Sequence, residues 1–145
     1  MIAKQITYNN LPKAIKIAFS GDSNLKDLYD PTATVETVDD MVSDVERKVL
    51  EYSQQMPVIF MGVYEKNELV GYFVYSGMLL ISFGLNIKCR IRNLLREFYQ
   101  LIKKNVHPHF ACILWTKNKR AIKWLLKNKM TILASNEATT QLINL

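Results

Sequence analysis

Apolar and polar positions recur along the chain in two periods, which predict short strands and amphipathic helices. Helical spacing of apolar residues is found in four segments, residues 11–19, 38–54, 88–105 and 118–128. Short apolar runs bounded by turn-forming residues predict strands at residues 2–8, 58–64, 69–75, 78–83, 110–115, 131–134 and 139–145. A stretch rich in Gly, Asp, Ser and Pro, residues 20–34, predicts a surface loop. The predicted element order is β-α-α-β-β-β-α-β-α-β-β.

The connections between these elements predict how the strands pair. Very short loops separate the strands in residues 58–83, so these strands are expected to be antiparallel neighbours. The helix at residues 88–105 lies between two strands and is expected to supply a right-handed crossover. Because no repeat or linker interrupts the pattern, residues 1–145 are expected to form a single domain. The predicted fold class is α/β (α+β), a mixed but mostly antiparallel sheet flanked by helices.

Composition narrows the class of protein. Of the 145 residues, 49% are hydrophobic and 22% are charged, which excludes disorder as the main state. No apolar run reaches the roughly 18 residues that a membrane helix needs, so no membrane partner is expected. Residues 1–5 lack the pattern of a signal peptide, and two cysteines are too few for a disulfide framework. The expected location is therefore a reducing, cytoplasmic compartment.

Charge divides the chain into an acidic part and a basic part. Residues 1–68 hold seven Lys or Arg against eleven Asp or Glu, whereas residues 69–145 hold twelve against two. All twelve of these cations lie between Lys88 and Lys129. Along the third and fourth predicted helices they form two basic stripes, Lys88, Arg92, Arg96 and Lys103 on one helix and Lys119, Lys123 and Lys127 on the other.

Helix stability does not explain the basic stripes, because like charges at this spacing cost roughly 0.2–0.5 kcal/mol per pair. One interpretation is a solvated face rich in lysine. The other is a surface for an anionic partner, in which the stripe residues bind an acidic protein or the acidic second helix of another copy. Nucleic acid is a weaker alternative, because no base-recognition motif accompanies the charge.

Two local motifs resemble one known family. The segment Asn118-Lys-Arg-Ala-Ile-Lys-Trp-Leu-Leu-Lys-Asn-Lys-Met130 resembles a final helix of the form Asn-x-x-Ala, which Asn118, Ala121 and Ile122 match. The hairpin from Gly62 to Phe73 is similar to that family's two middle strands. Together with the element order, these motifs resemble the GCN5-related N-acetyltransferase (GNAT) fold, whose members bind acyl-CoA.

The resemblance also implies an acyl-CoA motif, Arg/Gln-x-x-Gly-x-Gly/Ala, between the fourth strand and the third helix. Its glycines let backbone N–H groups approach the pyrophosphate of the coenzyme. In this chain the stretch from Leu85 to Leu95 has no glycine, and Leu125 stands where the family's frequent catalytic Tyr occurs. Bulky and cationic side chains are therefore expected to occupy the space in which the coenzyme would bind.

On this resemblance the main prediction is an acetyltransferase-like domain with reduced or no catalysis, without a cofactor, that acts in protein binding or assembly. Bacteriophage virions are a setting in which similar domains occur. No catalytic residue is assigned. The alternative is an active N-acetyltransferase that uses acetyl-CoA, held by Lys88, Arg90, Arg92 and Asn118.

Two further groups of residues carry possible chemistry. Cys89 is predicted at a helix N-terminus between Lys88 and Arg90, which favours a depressed thiol pKa. No base or oxyanion hole accompanies this thiol, so it is not assigned as a nucleophile. The pair His107 and His109 lacks a third ligand, and no metal site is predicted.

Overall fold

The structure is a computed structural model that describes residues 1–28 and 35–145, so part of the loop predicted for residues 20–34 lies outside the described residues. The strands are β1 (Ile2–Gln5), β2 (Ile59–Glu65), β3 (Glu68–Ser76), β4 (Leu79–Leu85), β5 (Ala111–Trp115), β6 (Thr131–Ser135) and β7 (Thr139–Ile143). The helices are α1 (Leu11–Phe19), α2 (Val38–Ser53), α3 (Arg92–Asn105) and α4 (Lys119–Lys127). The predicted order of helices and strands is confirmed. Among the described helices, none has the length and apolar character needed to cross a membrane.

Within the described residues the strands form one seven-stranded sheet, in the order β1-β2-β3-β4-β5-β7-β6. Neighbouring strands are antiparallel, except for β4 and β5, which are parallel. The helix α3 connects these two strands, because parallel neighbours need a long crossover rather than a tight turn. The prediction of a mixed, mostly antiparallel sheet is confirmed.

Helices cover both faces of the sheet and bury two apolar clusters. On one face, Ile15 of α1 and Val49 of α2 pack in a cluster with Tyr72 of β3. On the other face, Phe98 of α3 joins a cluster with Phe73, the next residue of β3. Successive side chains of a strand point to opposite faces, which is why Tyr72 and Phe73 belong to different clusters. The sheet is therefore the middle layer, and any opening in it connects the two helical layers.

A capping box fixes the start of α2. The Thr37 hydroxyl oxygen accepts a hydrogen bond from the Asp40 backbone N–H at 3.2 Å, and the Asp40 carboxylate accepts one from the Thr37 N–H at 3.1 Å. Hydrogen bonds from the backbone N–H groups of Glu36 and Thr37 lower the pKa of the Asp40 carboxyl. With its first turn held in this way, α2 presents Asp44 and Lys48, one and two turns later, toward the sheet.

The helix α3 begins four residues later than its apolar spacing predicts. Residues Ile87–Cys89 form a short 3-10 helix, and α3 starts at Arg92. The Asn86 side chain accepts a hydrogen bond from the Lys88 N–H at 3.0 Å and donates one to the Ile17 carbonyl at 2.8 Å. Because these bonds hold the chain in a turn, Ile91, which the spacing assigns to the buried face, is 58% exposed.

Candidate functional site

The parallel strands β4 and β5 pair only at their beginnings. Leu79 lies opposite Ala111 and Leu80 opposite Cys112, and β4 then remains paired with β3 while β5 remains paired with β7. Beyond these two pairs a cleft of about 460 Å³ opens, lined by residues 80–85 on one side and 113–115 on the other. We call it the β4–β5 cleft.

A β-bulge lies at the point where the two strands part. Val74 of β3 pairs with Ser82 and Tyr75 pairs with Leu80, so Ile81 is an extra residue on β4. Ile81 directly follows Leu80, the last β4 residue paired with β5. A bulge bends its strand and increases its twist, and here the bend coincides with the separation of β4 from β5.

Apolar side chains from both helical layers form most of the cleft wall. On the α3 and α4 side the rings of Phe98 and Trp124 are stacked, with centroids 5.6 Å apart. The Trp124 ring also lies 5.7 Å from that of Phe83 on β4. The Trp124 Nε1–H is buried and has no hydrogen-bond partner among the described residues. A narrow slot of this kind accommodates an extended, mostly apolar chain that offers an acceptor to that N–H.

Cationic and amide side chains lie at the edge of the cleft. Arg90 forms an ion pair with Asp22 at 2.7 Å, and its Nε–H donates to the Leu85 carbonyl at 2.7 Å. With the Asn24 amide oriented so that its oxygen faces Arg120, that oxygen accepts two hydrogen bonds from the guanidinium at 2.9 and 3.0 Å. Both arginines line the cleft and bring positive charge to it.

On the α2 side the cleft contains ionisable and hydroxyl groups. Asp44 and Lys48 line it, and Asp44 is paired with Arg47 at 3.0 Å. Burial lowers the pKa of the Lys48 ammonium, against the opposing effect of the Asp44 carboxylate. Ser82 also lines the cleft, and its Oγ lies 2.8 Å from the Tyr72 hydroxyl, whose pKa is raised by burial. These groups form a polar patch in an otherwise apolar wall.

Of the four residues predicted to hold a coenzyme, two line the cleft and two lie outside its described lining. Arg90 and Asn118 are part of the wall, and the Asn118 carboxamide oxygen caps α4 by accepting a hydrogen bond from the Ala121 N–H at 3.3 Å. Lys88 and Arg92 are exposed on the stretch that enters α3. A coenzyme-binding role for these four residues stays a prediction.

Six polar residues of the cleft are absent from the sequence-based assignment, namely Asp22, Asn24, Asp44, Lys48, Ser82 and Arg120. A signal for two of them was present in α2. Met41, Val45 and Val49 are buried at helical spacing, and Asp44 and Lys48 interrupt this apolar stripe. A charged residue inside such a stripe indicates either an ion pair or a cavity. No comparable local signal marks Ser82 or Arg120.

The cations of the two predicted stripes lie mainly on the surface. Lys88, Arg92, Arg96, Lys119, Lys123 and Lys127 are exposed, and Lys103 is partly buried. Tyr99, which lies between Arg96 and Lys103 in sequence, is not part of this exposed surface, because its ring is only 2% exposed and lies 5.6 Å from the ring of Phe110. That the stripes bind a partner remains a prediction.

The expectation of a depressed pKa for the Cys89 thiol is wrong. Burial raises the pKa of Cys89, and the nearby Glu65 and Glu68 carboxylates raise it further. The reason is the late start of α3, which leaves Cys89 in a separate turn instead of at the helix N-terminus. Among the described residues, no three His, Cys, Asp or Glu side chains are grouped to hold a metal ion.

We expect Arg90→Met to destabilise the protein by about 2–3 kcal/mol, because it leaves the Asp22 carboxylate buried without its cationic partner. The Asp22 side chain is 1% exposed and that of Arg90 is 23% exposed. Urea unfolding measures the effect. Arg92→Met, at an exposed position of the same segment, is the control and should stay within about 0.5 kcal/mol of the parent. Equal midpoints for the two variants would show that the buried ion pair contributes nothing.

Comparison with known structures identifies the fold. An acetyltransferase from Thermus thermophilus superposes with a TM-score of 0.67 at 11% identity, over 99% of this chain and 96% of that one. The PaiA N-acetyltransferase of Thermoplasma acidophilum, in complex with coenzyme A, superposes with a TM-score of 0.61 at 11% identity, over 97% of this chain and 96% of that one. A third structure is an acetyltransferase from Salmonella typhimurium that modifies the N-terminal serine of a 50S ribosomal subunit protein. It superposes with a TM-score of 0.61 at 9% identity, over 97% of this chain and 90% of that one. No protein-family model matches the sequence, and a comparison with curated proteins gives no match. The chain has the GNAT fold.

The main prediction from the sequence, an acetyltransferase-like domain with reduced or no catalysis that acts in protein binding or assembly, is wrong. The three solved structures described above are named as acetyltransferases, and PaiA is in complex with coenzyme A. The prediction assumed that bulky residues between β4 and α3 occupy the binding site of the coenzyme. Instead Lys88 and Arg92 are exposed, and the β4–β5 cleft is open.

Proposed function

We propose that this protein is an acyl-CoA-dependent N-acyltransferase and that the β4–β5 cleft is its active site. One observation carries the proposal. In a chain with the GNAT fold, the pairing of β4 and β5 ends after Leu80 and Cys112, and the strands then form the two sides of a cleft of about 460 Å³. The similarity to acetyltransferases in fold supports the reaction class.

The residues of the cleft fit an acyl-CoA. The nucleotide end of the coenzyme carries several phosphate charges. The guanidinium group of Arg120 supplies positive charge at the cleft beside the Arg90–Asp22 ion pair, and Lys88 and Arg92 are exposed nearby in sequence. The arm of the coenzyme is a flexible chain with amide groups, which suits apolar walls and the unpartnered Trp124 N–H. When bound, the coenzyme supplies an acyl group activated as a thioester.

The missing glycines change how the phosphates are held. Because the stretch from Leu85 to Leu95 has no glycine, cationic side chains bind some of the phosphate oxygens that backbone N–H groups bind in the usual motif. The first turn of α3, which starts at Arg92, still presents backbone N–H groups without intrahelical acceptors. Lys88 and Arg92 flank this helix end.

The polar patch on the α2 side suits an amine acceptor. An ammonium group must lose a proton before it can attack a thioester. The Asp44 carboxylate provides negative charge that attracts the ammonium into the cleft. The Ser82 hydroxyl, whose oxygen lies 2.8 Å from the Tyr72 hydroxyl, can accept a hydrogen bond from the amine, and the proton that the ammonium loses passes to water in the open cleft. The chain thus holds a cationic acceptor on the side opposite to α3 and α4.

The proposal is tested by mixing the protein with acetyl-CoA and a set of primary amines and measuring the free CoA thiol that is released. We expect release that depends on both protein and amine. Asp44→Asn should lower kcat/KM by about a hundredfold, because the carboxylate no longer attracts the ammonium.

The matched control is Asp39→Asn, on the same helix, because the Asp39 side chain is 80% exposed and outside the described lining of the cleft. This variant should retain the parent rate. If acetyl-CoA does not bind, or if no amine accelerates thiol release above the protein-free rate, the proposed function is refuted.

A further inference from the structure

We propose that the Lys48 side chain is itself an acyl acceptor, so that the protein acylates its own Nζ inside the β4–β5 cleft. The inference rests on the proposed function, because it requires an acyl-CoA in the cleft. It adds a modification site within this chain to the transfer to external amines.

Lys48 lies on α2 one turn after Asp44, and its side chain lines the cleft together with those of Asp44 and Ser82. The Lys48 side chain therefore belongs to the α2 wall of the cleft, on the side where the proposed function places the acceptor amine.

Among the described residues, the Lys48 amine is not held by other groups. Within residues 1–28 and 35–145, Lys48 forms no hydrogen bond and no ion pair, although the Asp44 carboxylate one turn earlier lines the same wall. Surface lysines such as Lys16, paired with Asp39 at 3.5 Å, are in contact with solvent and with acidic neighbours. An amine without partners that faces a cavity is free to meet a ligand there.

The protonation state of the Lys48 amine also favours attack on a thioester. Only the neutral form of an amine can attack a carbonyl carbon. Burial lowers the pKa of Lys48, so a larger fraction of this amine is neutral near pH 7 to 8 than for a lysine in water.

The proposed step balances without a further reactant. The Lys48 Nζ lone pair attacks the thioester carbonyl carbon, a C–N bond forms and the C–S bond breaks. The electron pair of the C–S bond leaves with the sulfur, which takes up the proton lost by Nζ. The products are Nε-acyl-lysine at position 48 and the free CoA thiol, and no group is oxidised or reduced.

The test is to incubate the full chain with acetyl-CoA and to follow the acetylation of each lysine by peptide mass spectrometry, with acetyl-CoA binding measured by calorimetry on the same sample. Lys48 should be acetylated at least about tenfold faster than the exposed Lys16 and Lys66, because it is held beside the bound thioester. Excess free CoA should slow the acetylation of Lys48 and leave Lys16 unaffected. Lys48→Arg should lose this fast acetylation, whereas the control Lys16→Arg should retain it.

The outcomes separate the two proposals. If acetyl-CoA binds but Lys48 is acetylated no faster than Lys16, the self-acylation is refuted and the proposed function stands. If acetyl-CoA does not bind, both are refuted. Fast acetylation of Lys48 that free CoA does not slow would also refute the inference, since the acyl group would then not come from a bound coenzyme.

Discussion

Replacing Ala121 with Trp is expected to abolish acetyl-CoA binding and thiol release. Ala121 lies on the first turn of α4 and lines the β4–β5 cleft close to Trp124 and Asn118. A second indole at this position fills the space between the two strands that the arm of the coenzyme needs. At a hundred times its dissociation constant, the coenzyme should stabilise the parent protein by about 2.7 kcal/mol, and we expect the variant to lose this stabilisation.

The control for this variant is Leu126→Trp, which places the same side chain at an exposed position of the same helix. Leu126→Trp should bind acetyl-CoA as the parent does. Calorimetry and thermal unfolding with and without acetyl-CoA measure both variants. Binding of equal strength to Ala121→Trp and Leu126→Trp would mean that the coenzyme does not occupy this cleft.

Replacing Phe73 with Ala should destabilise the fold by about 3–5 kcal/mol, because it removes a fully buried ring from the centre of the sheet and leaves a cavity. Phe73 is 0% exposed, and its ring lies 6.2 Å from that of Tyr75 and 6.5 Å from that of Phe98. Urea unfolding followed by circular dichroism measures the change.

Ile132→Ala is the control for the effect of losing an apolar side chain. Ile132 lies on the edge strand β6 and is 43% exposed, so its removal should cost less than about 1 kcal/mol. A similar loss of stability in the two variants would show that the cluster around Phe73 is not the centre of the core.

The order of helices and strands was predictable from the sequence because both periods of apolar residues are strong in this chain. The start of α3 was not predictable in the same way. It depends on the Asn86 side chain, which donates to the Ile17 carbonyl at 2.8 Å across 69 positions of sequence. A contact between such distant residues leaves no mark on local periodicity, so Ile91 was assigned to the wrong face.

The candidate site was harder to predict because the β4–β5 cleft arises from strand pairing. Its opening depends on where the β4–β5 register ends and on a bulge at Ile81, and neither is a property of a local motif. The lack of glycine after Gly84 is visible in the sequence, but it does not reveal that Lys88 and Arg92 are exposed outside the described lining of the cleft. Lys48, as a charge inside an apolar stripe, was the signal that sequence reasoning could have used.

The most direct test of the proposed active site is a crystal structure of the protein grown with acetyl-CoA. We predict that the arm of the coenzyme lies between residues 81–85 of β4 and 113–115 of β5, with its phosphates on the side of Arg90 and Arg120. A structure with the coenzyme elsewhere, or with β4 and β5 paired beyond Leu80 and Cys112 so that no cleft exists, would contradict the proposal.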